Sequence, residues 1–283
     1  MKRKEVPFDQ IGVWSEIKLD IIKEYATAYS RILSAQKNPN LYHIYIDAFA
    51  GAGVHQSRSS GEFVPGSPTN AMLVQPPFRD YHFIDLDEKK VAALEKLAEK
   101  RQDVHIHHGN CNRVLLESVL PQAKWDAYRR ALCILDPYGL HLDWAVIAEA
   151  GRMRSLEIFL NFPVADINRN VLWRDRGGVS PDQMERMNAF WGDDSWKQIA
   201  YAPSRQAQLF GPPADEKVSN EAVAEAFRKR LEDVARFSNV PEPIAMRNSQ
   251  NAIVYYLYFA SQKPVAAEIV RQIFDKYRDR KPV

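Results

Sequence analysis

The stretch YIDAFAGAG, residues 45–53, is an apolar run that ends in an aspartate and then breaks into closely spaced small residues. In an open parallel sheet, ligands lie at the carboxyl ends of the strands. Gly51 and Gly53 permit backbone conformations that other residues avoid, so a ligand can approach the main chain there. The stretch therefore predicts the first strand of a parallel sheet, followed either by a nucleotide-binding loop or by a tight turn.

Segments of strand and helix character alternate around this stretch. Apolar runs of strand length are separated by segments whose apolar residues recur at helical spacing. Such alternation requires right-handed crossovers between parallel strands. The expected strands in the first half are 41–49, 81–87, 103–108, 131–136 and 156–162, and the expected helices are 15–35, 88–100, 112–120 and 143–150.

The second half of the chain first breaks this alternation and then completes the sheet. A helix is predicted over 181–191, with Ser180 as its N-cap. A helix over 220–238 and two strands joined by the turn NSQN follow. The pattern predicts an α/β fold with the Rossmann-like seven-strand sheet of class I methyltransferases. We expect that sheet to be mostly parallel, with a hairpin formed by its sixth and seventh strands.

We interpret residues 1–283 as a single methyltransferase-like domain, because the chain shows no internal repeat or low-complexity tract. The alternation of strands stops after the fifth strand, so we interpret the segment that follows as an insertion. The expected parts are an N-terminal helix at 14–40, a cofactor-binding half at 41–163, the insertion at 164–215, and C-terminal helices with the hairpin at 216–283.

Composition narrows the class of protein. With 46% hydrophobic and 26% charged residues, the chain has the composition of an ordinary globular protein. A net charge of +2 does not predict nucleic-acid binding, although it leaves room for a local basic patch. Two cysteines are too few for a disulfide framework. No signal peptide or membrane span is expected, since the longest apolar run, 252–260, is far short of the ~20 residues required. We therefore expect a cytoplasmic protein.

The loop after the first strand favours a cationic ligand over a pyrophosphate. A dinucleotide fingerprint needs a third glycine, but Val54, His55 and Gln56 follow Gly53. A phosphate-binding P-loop needs a Gly-Lys-Ser/Thr ending, which is also missing. S-adenosylmethionine carries an ammonium and a sulfonium, and Asp47 can accept hydrogen bonds from the ammonium. We therefore expect S-adenosylmethionine as the cofactor.

Polar residues at the next strand ends support this expectation. Asp85 is placed to accept both ribose hydroxyls, and Asn110 can contact the adenine amino group. Each residue alone is equally explained by a turn or a helix cap. Polar signals at four successive strand ends favour a ligand site. The residues expected at the cofactor are Asp47, Ala48, Phe49, Gly51, Gly53, Asp85, Leu86, Asn110 and Cys111.

The fourth strand ends in DPYG, residues 136–139, which we interpret as the catalytic loop. It resembles the Asp/Asn-Pro-Pro-aromatic loop of methyltransferases that act on exocyclic amino groups of nucleic acids. There the carboxylate and the first proline's carbonyl orient the amino group, and the aromatic stacks on the base. Here Asp136, Pro137 and Tyr138 match, but the second proline is missing. The alternative is a strand-terminating turn with Asp136 as its cap.

Two further segments are expected to border the same cleft. Arg169, Trp173 and Arg174, after the fifth strand, can bind phosphates and stack on a base. The alternative is a surface loop whose arginines pair with nearby aspartates. Ser67 is the expected N-cap of a helix that starts late, which leaves 54–66 as a loop near the site.

The stretch HIHH, residues 105–108, raises the question of a metal site. His105 and His107 share one face of the predicted strand, but the sequence shows no Cys, His or carboxylate motif that would complete a ligand set. We therefore interpret these histidines as strand-edge and loop residues and expect no metal.

Several stretches together resemble one family, the bacterial three-Cys-motif partner proteins. YIDAFAGAG, GSPTNAM, ILDPYGLHLDW, FLNFPVADINRN and YYLYFASQKP are similar to that family, in order, from about residue 14 to 275. The resemblance implies a class I methyltransferase-like fold and a partner protein that carries three cysteines. It implies cofactor roles for Asp47, Gly51, Gly53 and Asp85, and site roles for Asp136, Pro137, Asn161 and Pro163.

Three functions follow as hypotheses. The first is an S-adenosylmethionine-dependent methyltransferase whose acceptor is an exocyclic amino group of a nucleic acid. The second is a non-catalytic or cofactor-binding partner subunit of a three-cysteine-motif protein, which the altered DPYG loop favours. The third is a small-molecule or protein methyltransferase, which the weak net charge favours.

Overall fold

A computed structural model describes residues 8–173, 178–203, 215–248 and 250–278. Twelve strands and ten α-helices are present in these ranges. The strands are β1 (Gln10–Ile11), β2 (Tyr42–Asp47), β3 (Val54–Ser57), β4 (Phe63–Pro65), β5 (Asp80–Asp85), β6 (Val104–His108), β7 (Arg129–Leu135), β8 (Leu156–Phe162), β9 (Tyr201–Pro203), β10 (Asp215–Lys217), β11 (Ile244–Arg247) and β12 (Ile253–Ala260). The helices are α1 (Val13–Ser34), α2 (Ser67–Met72), α3 (Glu88–Ala98), α4 (Cys111–Val114), α5 (Trp144–Met153), α6 (Val164–Asn170), α7 (Pro181–Trp191), α8 (Trp196–Ile199), α9 (Asn220–Asp233) and α10 (Pro264–Arg278).

The central sheet has seven strands in the order β11-β12-β8-β7-β2-β5-β6. The five strands from β8 to β6 are parallel to their neighbours. Strand β12 is antiparallel to both β8 and β11. Strand β12 thus lies between β8 and its own hairpin partner β11, which is the strand order of class I methyltransferases. The predicted fold class is confirmed.

The sheet is buried on both faces, which explains why its middle strands read as continuous apolar runs. On one face, α1 and α10 cover Tyr45, Phe159 and Phe259. On the other, α5 and α9 lie over a core that includes Phe162 and Phe227. Neighbouring side chains of one strand point to opposite faces, so each central strand contributes to both cores.

Helix α1 has the amphipathic pattern predicted for it. Ile17, Ile21, Ile22 and Tyr25 are buried and recur at helical spacing. The Tyr25 hydroxyl donates a hydrogen bond to Glu157, a partly buried carboxylate near the start of β8. This contact holds α1 across the sheet, so the first turns of the helix lie over the carboxyl ends of the strands.

Residues 54–66, expected as a loop, form a hairpin instead. β3 and β4 are antiparallel, and β1 adds to β3 as a parallel neighbour to make a second, three-stranded sheet. The prediction was wrong because the strands are short and their partner β1 comes from the far N-terminal segment. The N-cap of α2 is Gly66 rather than Ser67, whose hydroxyl donates to Asp47.

The segment after β8 is held to the sheet by aromatic packing. Phe190, Trp191 and Trp196 are buried in the core that also contains Phe162 and Phe227. Helix α7 has the predicted bounds, and Ser180 accepts a hydrogen bond from the Gln183 amide as expected of its N-cap. Helix α9 ends at Asp233, several residues before the predicted end.

No helix in the described ranges combines the length and the apolar character needed to cross a bilayer.

Candidate functional site

A cavity of about 470 Å³ lies at the carboxyl ends of β2, β7 and β8. Its floor comes from the loop after β2 and from the ends of β7 and β8. Its cover comes from the N-terminal segment, the first turns of α1 and the β3–β4 hairpin. Its lining includes Asp9, Ser15, Lys18, Phe49, Gly51, His55, Arg58, Ser67, Asp136, Pro137, Tyr138 and Asn161.

Asp47 lies beneath this cavity. Its carboxylate accepts hydrogen bonds from the Phe49 amide at 3.2 Å and from the Ser67 hydroxyl at 2.5 Å. Burial raises the pKa of Asp47 to about 7, and these hydrogen bonds oppose that shift. Ser67 lines the cavity, so it is the group through which Asp47 contacts that space.

Asp85 organises the loop after β2. One of its oxygens accepts from the Gly51 amide and the other from the Asp87 amide, both at 2.8 Å. Each carboxylate oxygen keeps a second lone pair for a ligand. Gly51, with φ of 67°, lines the cavity. At Gly53, a Cβ atom would lie 2.7 Å from Leu97 Cδ2, so this glycine permits close packing against α3.

The other residues expected at the cofactor divide into exposed and buried sets. Leu86, at the end of β5, is 71% exposed. Asn110 is also exposed, and its side-chain oxygen caps α4 by accepting from the Asn112 amide at 2.9 Å. Ala48 and Cys111 are buried in the core. Leu86 and Asn110 can therefore contact a ligand at the solvent-exposed edge of the sheet. Ala48 and Cys111 pack in the core beneath that edge.

A buried lysine contacts the DPYG loop that follows β7. Lys18 donates from Nζ to one oxygen of Asp136, and Asn161 donates from Nδ2 to the other at 2.9 Å. Burial alone would lower the pKa of Lys18, but the charge of Asp136 raises it above its ordinary value. Lys18 is therefore a cation, and Asp136 is held from two sides. The two side-chain oxygens of Asp136 thus bond to residues of α1 and β8.

Lys18 was not among the residues predicted for the site. The only sequence signal is its position on the apolar stripe of α1, next to Ile17 and Ile21. A lysine on a buried helix face requires a partner charge. That partner comes from a strand end 118 positions away, so periodicity alone does not reveal it.

Asn161 has an unsatisfied acceptor. Its side chain is 8% exposed, and its Oδ1 has no hydrogen-bond partner among the described residues. His55, on the covering hairpin, likewise has a buried Nδ1 without a partner in the described ranges. Burial lowers the pKa of His55, so its imidazole is neutral near pH 7. Buried polar atoms in native proteins are nearly always paired, and both residues line the cavity, so these two atoms are available to a water or a ligand there.

The N-terminal segment holds Tyr138 at the rim of the cavity. Asp9 accepts hydrogen bonds from Lys90 Nζ at 2.7 Å and from the Tyr138 hydroxyl at 3.1 Å. The Lys90 ammonium lies 5.3 Å from the centre of the Tyr138 ring. The ring is 62% exposed, so one of its faces is open to solvent.

Of the other residues predicted to bind substrate, Pro163, Arg169 and Trp173 do not line this cavity. Pro163 is the buried N-cap residue of α6. Arg169 is exposed on α6, and its carbonyl accepts from the Trp173 indole at 2.5 Å. Trp173 is 42% exposed. Arg174 falls outside the described residues. Of the five residues predicted to bind substrate, the structure thus places Asn161 in the cavity wall.

A second cavity of about 400 Å³ adjoins the first and shares Gly12, Ser15 and Arg58 with it. Trp14, Arg247 and Tyr255 contribute to its remaining walls. Two arginines beside two aromatic rings form a surface of the kind that contacts phosphates and bases.

Comparison with solved structures gives the fold. A Legionella pneumophila protein, LPL1258 of the DUF519 family model, has 12% sequence identity and a TM-score of 0.55, covering 91% of this chain and 90% of that chain. WbdD has 14% identity and a TM-score of 0.42, covering 91% and 45%. TYW2 from M. jannaschii, in complex with AdoMet, has 10% identity and a TM-score of 0.35, covering 88% and 76%.

No family model matches this sequence, and no curated protein matches it. The likeness to the Legionella protein extends over nine-tenths of both chains, so the two share a fold. Together with the strand order, it shows that the chain has a Rossmann-like, class I methyltransferase fold.

Proposed function

We propose that this protein is an S-adenosylmethionine-dependent methyltransferase whose acceptor is an exocyclic amino group of a nucleic acid. The observation that carries the proposal is the unsatisfied Oδ1 of Asn161 beside the Asp136 carboxylate, in a cavity at the strand ends. An amino group brings two N–H donors, and these two residues offer acceptors for both.

The residues present fit the cofactor. An anion suits the methionine end, and the ionised form of Asp47 provides one through Ser67, which lines the cavity. The second lone pairs of Asp85 suit ribose hydroxyls, and exposed Leu86 and Asn110 suit the adenine. When bound, S-adenosylmethionine supplies an electrophilic methyl group. The protein's task is to place the acceptor nitrogen in line with that methyl group.

Asp136 of the proposed catalytic loop and its two partners, Asn161 and Lys18, have distinct roles in this proposal. Asp136 and Asn161 accept the two N–H groups of the acceptor, which directs the nitrogen lone pair away from them. Lys18 holds Asp136 in one orientation and balances its charge in a buried setting. Because its two oxygens already have partners, we assign Asp136 a positioning role toward the acceptor.

A nucleic acid is the acceptor class that the surroundings favour. The adjoining cavity offers Arg58 and Arg247 for phosphates and the ring of Trp14 for a base. The open face of Tyr138 gives a second ring at the rim. Arg169 and Trp173, exposed on α6 and after it, extend the proposed contact surface.

A second candidate is a cofactor-binding partner subunit of a three-cysteine-motif protein. The hydrogen bond from Tyr138 to Asp9 favours this candidate. It fixes the Tyr138 ring at the rim of the cavity, whereas a base-stacking loop would present that ring to the substrate. In that case the chain binds S-adenosylmethionine but does not transfer the methyl group in the absence of its partner.

Two measurements test the proposal. Calorimetry with S-adenosylmethionine should show binding at one site, and no binding at millimolar cofactor would refute both candidates. Tritium transfer from labelled cofactor to RNA, DNA and protein should label a nucleic acid. Cofactor binding with no transfer, unless a three-cysteine-motif protein is added, would favour the second candidate. Transfer to protein or small molecules alone would overturn the acceptor class.

A further inference from the structure

A second polar cluster lies on β5 and β6, at the edge of the central sheet and apart from the cavity. We propose that Asp80, His82 and His105 bind a transition-metal ion, with zinc as the best match. This site is independent of the proposed methyltransferase function. The proposed site differs from the expectation drawn from the sequence, which showed no further ligands beside the histidines of β6.

The strand register brings these residues together. His82 on β5 is paired with His105 on β6, and Asp80 and His107 are each two positions along the same faces. One ligand atom each from Asp80, His82 and His105 lies within 4.8 Å of the others. His105 Nε2 and Asp80 Oδ1 are 3.3 Å apart. Ligand atoms of a tetrahedral zinc site are separated by about 3.3 Å, so this pair already has the required spacing.

His82 has the hydrogen-bonding state of a metal ligand. It is 1% exposed, and its Nδ1 is 3.1 Å from His107 Nε2. Its other nitrogen, Nε2, is buried, and no atom of the described chain bonds to it. A histidine that binds a metal through one nitrogen usually donates the other N–H to a neighbour. We therefore assign Nε2 of His82 as the ligand atom and His107 as the residue that orients it.

The donor set selects the class of metal. Two imidazoles and one carboxylate suit zinc and its neighbours in the first transition row, rather than magnesium or calcium. The His105 side chain is 44% exposed, so an ion has a path from solvent and a water can complete the coordination. His82 stacks on His105 with ring centres 4.8 Å apart, and a small rotation of these rings would direct both nitrogens at one ion.

A metal ion at this site would stabilise the edge of the central sheet. Strand β6 is the edge of the sheet, and its only neighbour in the described ranges is β5. An ion held by both strands would cross-link the edge to the body of the sheet. Metal should therefore stabilise the folded protein, because an ion that binds the native state alone shifts the unfolding equilibrium.

Cobalt and zinc titrations test the proposal directly. The protein, with any affinity tag removed and after dialysis against chelator, is titrated with Co²⁺ and followed by visible absorption, then by competition with Zn²⁺. We expect saturation at one ion per chain, d–d bands of a four-coordinate site, and a rise of the melting temperature with Zn²⁺.

Three variants locate the ion. His105→Ala should abolish the visible bands, and His107→Ala should weaken binding by about 10- to 100-fold, as loss of an orienting residue does. His108→Ala is the matched control, since His108 lies on the same strand but bonds to the Leu86 carbonyl. Circular dichroism confirms that each variant is folded. Absence of saturable binding to the wild type, or equal binding by His105→Ala and His108→Ala, would overturn the proposal.

Discussion

Lys18, on the first helix, donates a hydrogen bond to Asp136, at the end of the fourth parallel strand. The lysine side chain is 10% exposed and the aspartate side chain 30%. This pair joins the N-terminal helix to the loop that the sequence marks as catalytic. It therefore links the stability of the fold to the geometry of the proposed site.

Breaking this pair should destabilise the protein. Lys18→Met leaves a partly buried carboxylate without its counter-charge. We expect a loss of roughly 2–3 kcal/mol in the free energy of unfolding, measured with urea, less than for a fully buried pair because Asp136 is partly exposed. The double variant Lys18→Met/Asp136→Asn should recover most of this loss. Lys23→Met, on the exposed face of the same helix, should change stability by less than about 0.5 kcal/mol.

Equal losses in the single and double variants would show that the pair itself is unimportant. The pair would then be a by-product of helix packing.

Removing the acceptor of Asn161 should affect transfer more than cofactor binding. Asn161→Leu keeps the approximate size of the side chain and removes the hydrogen bonds to Asp136 and to the acceptor. We expect methyl transfer to fall roughly tenfold to a hundredfold, the effect of losing a buried hydrogen bond. The dissociation constant for S-adenosylmethionine should stay within about twofold, because Asn161 faces the acceptor in our proposal. Asn170→Ala, whose amide bonds to Asp166 on α6, serves as the control.

The cofactor assignment is tested at two neighbouring aspartates. Asp85 accepts the Gly51 amide and is proposed to contact the ribose, whereas Asp87 caps α3 by accepting the Lys89 amide at 2.8 Å. Asp85→Ala should abolish calorimetrically detectable cofactor binding. Asp87→Ala should lower stability by about 1 kcal/mol and leave binding intact. If both variants bind like the wild type, Asp85 has no role in cofactor binding.

Asp47 should make stability depend on pH. Burial raises its pKa to about 7, so the folded protein holds a proton that the unfolded chain releases near pH 4. The unfolding free energy should therefore fall as pH rises from about 4 to 7 and level off above that. The part due to Asp47 is at most about 4 kcal/mol. Asp47→Asn should flatten this slope in urea denaturation at pH 5 and pH 8.

Glu157 provides the control for this prediction. Burial also raises its pKa to about 7, and it lies beneath α1, bonded to Tyr25. Glu157→Gln should flatten the stability slope as Asp47→Asn does. Cofactor affinity should rise from pH 5.5 to 7.5, as the Asp47 carboxylate ionises, in wild type and in Glu157→Gln but not in Asp47→Asn. A cofactor affinity that is independent of pH in all three would exclude Asp47 as the counter-charge.

Salt dependence tests the acceptor class. A protein that contacts phosphates releases counterions, so its affinity for RNA or DNA falls steeply with salt. Arg247→Ala, in the adjoining cavity, should reduce the slope of log affinity against log salt by about 1. Arg152→Ala, an exposed arginine on α5 paired with Glu149, should leave it unchanged. Binding that is insensitive to salt would instead favour a small-molecule or protein acceptor.

The expected site residues that sequence reasoning brought together share one feature. Asp136 and Gly51 each follow the carboxyl end of a parallel strand, and these ends meet at one edge of the sheet. Their proximity follows from the strand pattern alone. Arg169 and Trp173 were placed by adjacency in sequence; they lie on and after α6 and do not line the cavity. A helix after a strand end sets side-chain direction, which adjacency does not reveal.

By itself, the sequence determined the order of the strands in the central seven-strand sheet, the helices that connect its parallel strands, and the edge at which the ligand loop lies, because these follow from local apolar spacing and crossover rules. Only the tertiary structure decided the cover of the site, the pairing of Lys18 with Asp136, and the cluster of Asp80, His82 and His105. Each of these depends on the register or docking of segments far apart in the chain. Such contacts are chosen by packing and charge in the folded state, and no local pattern encodes them.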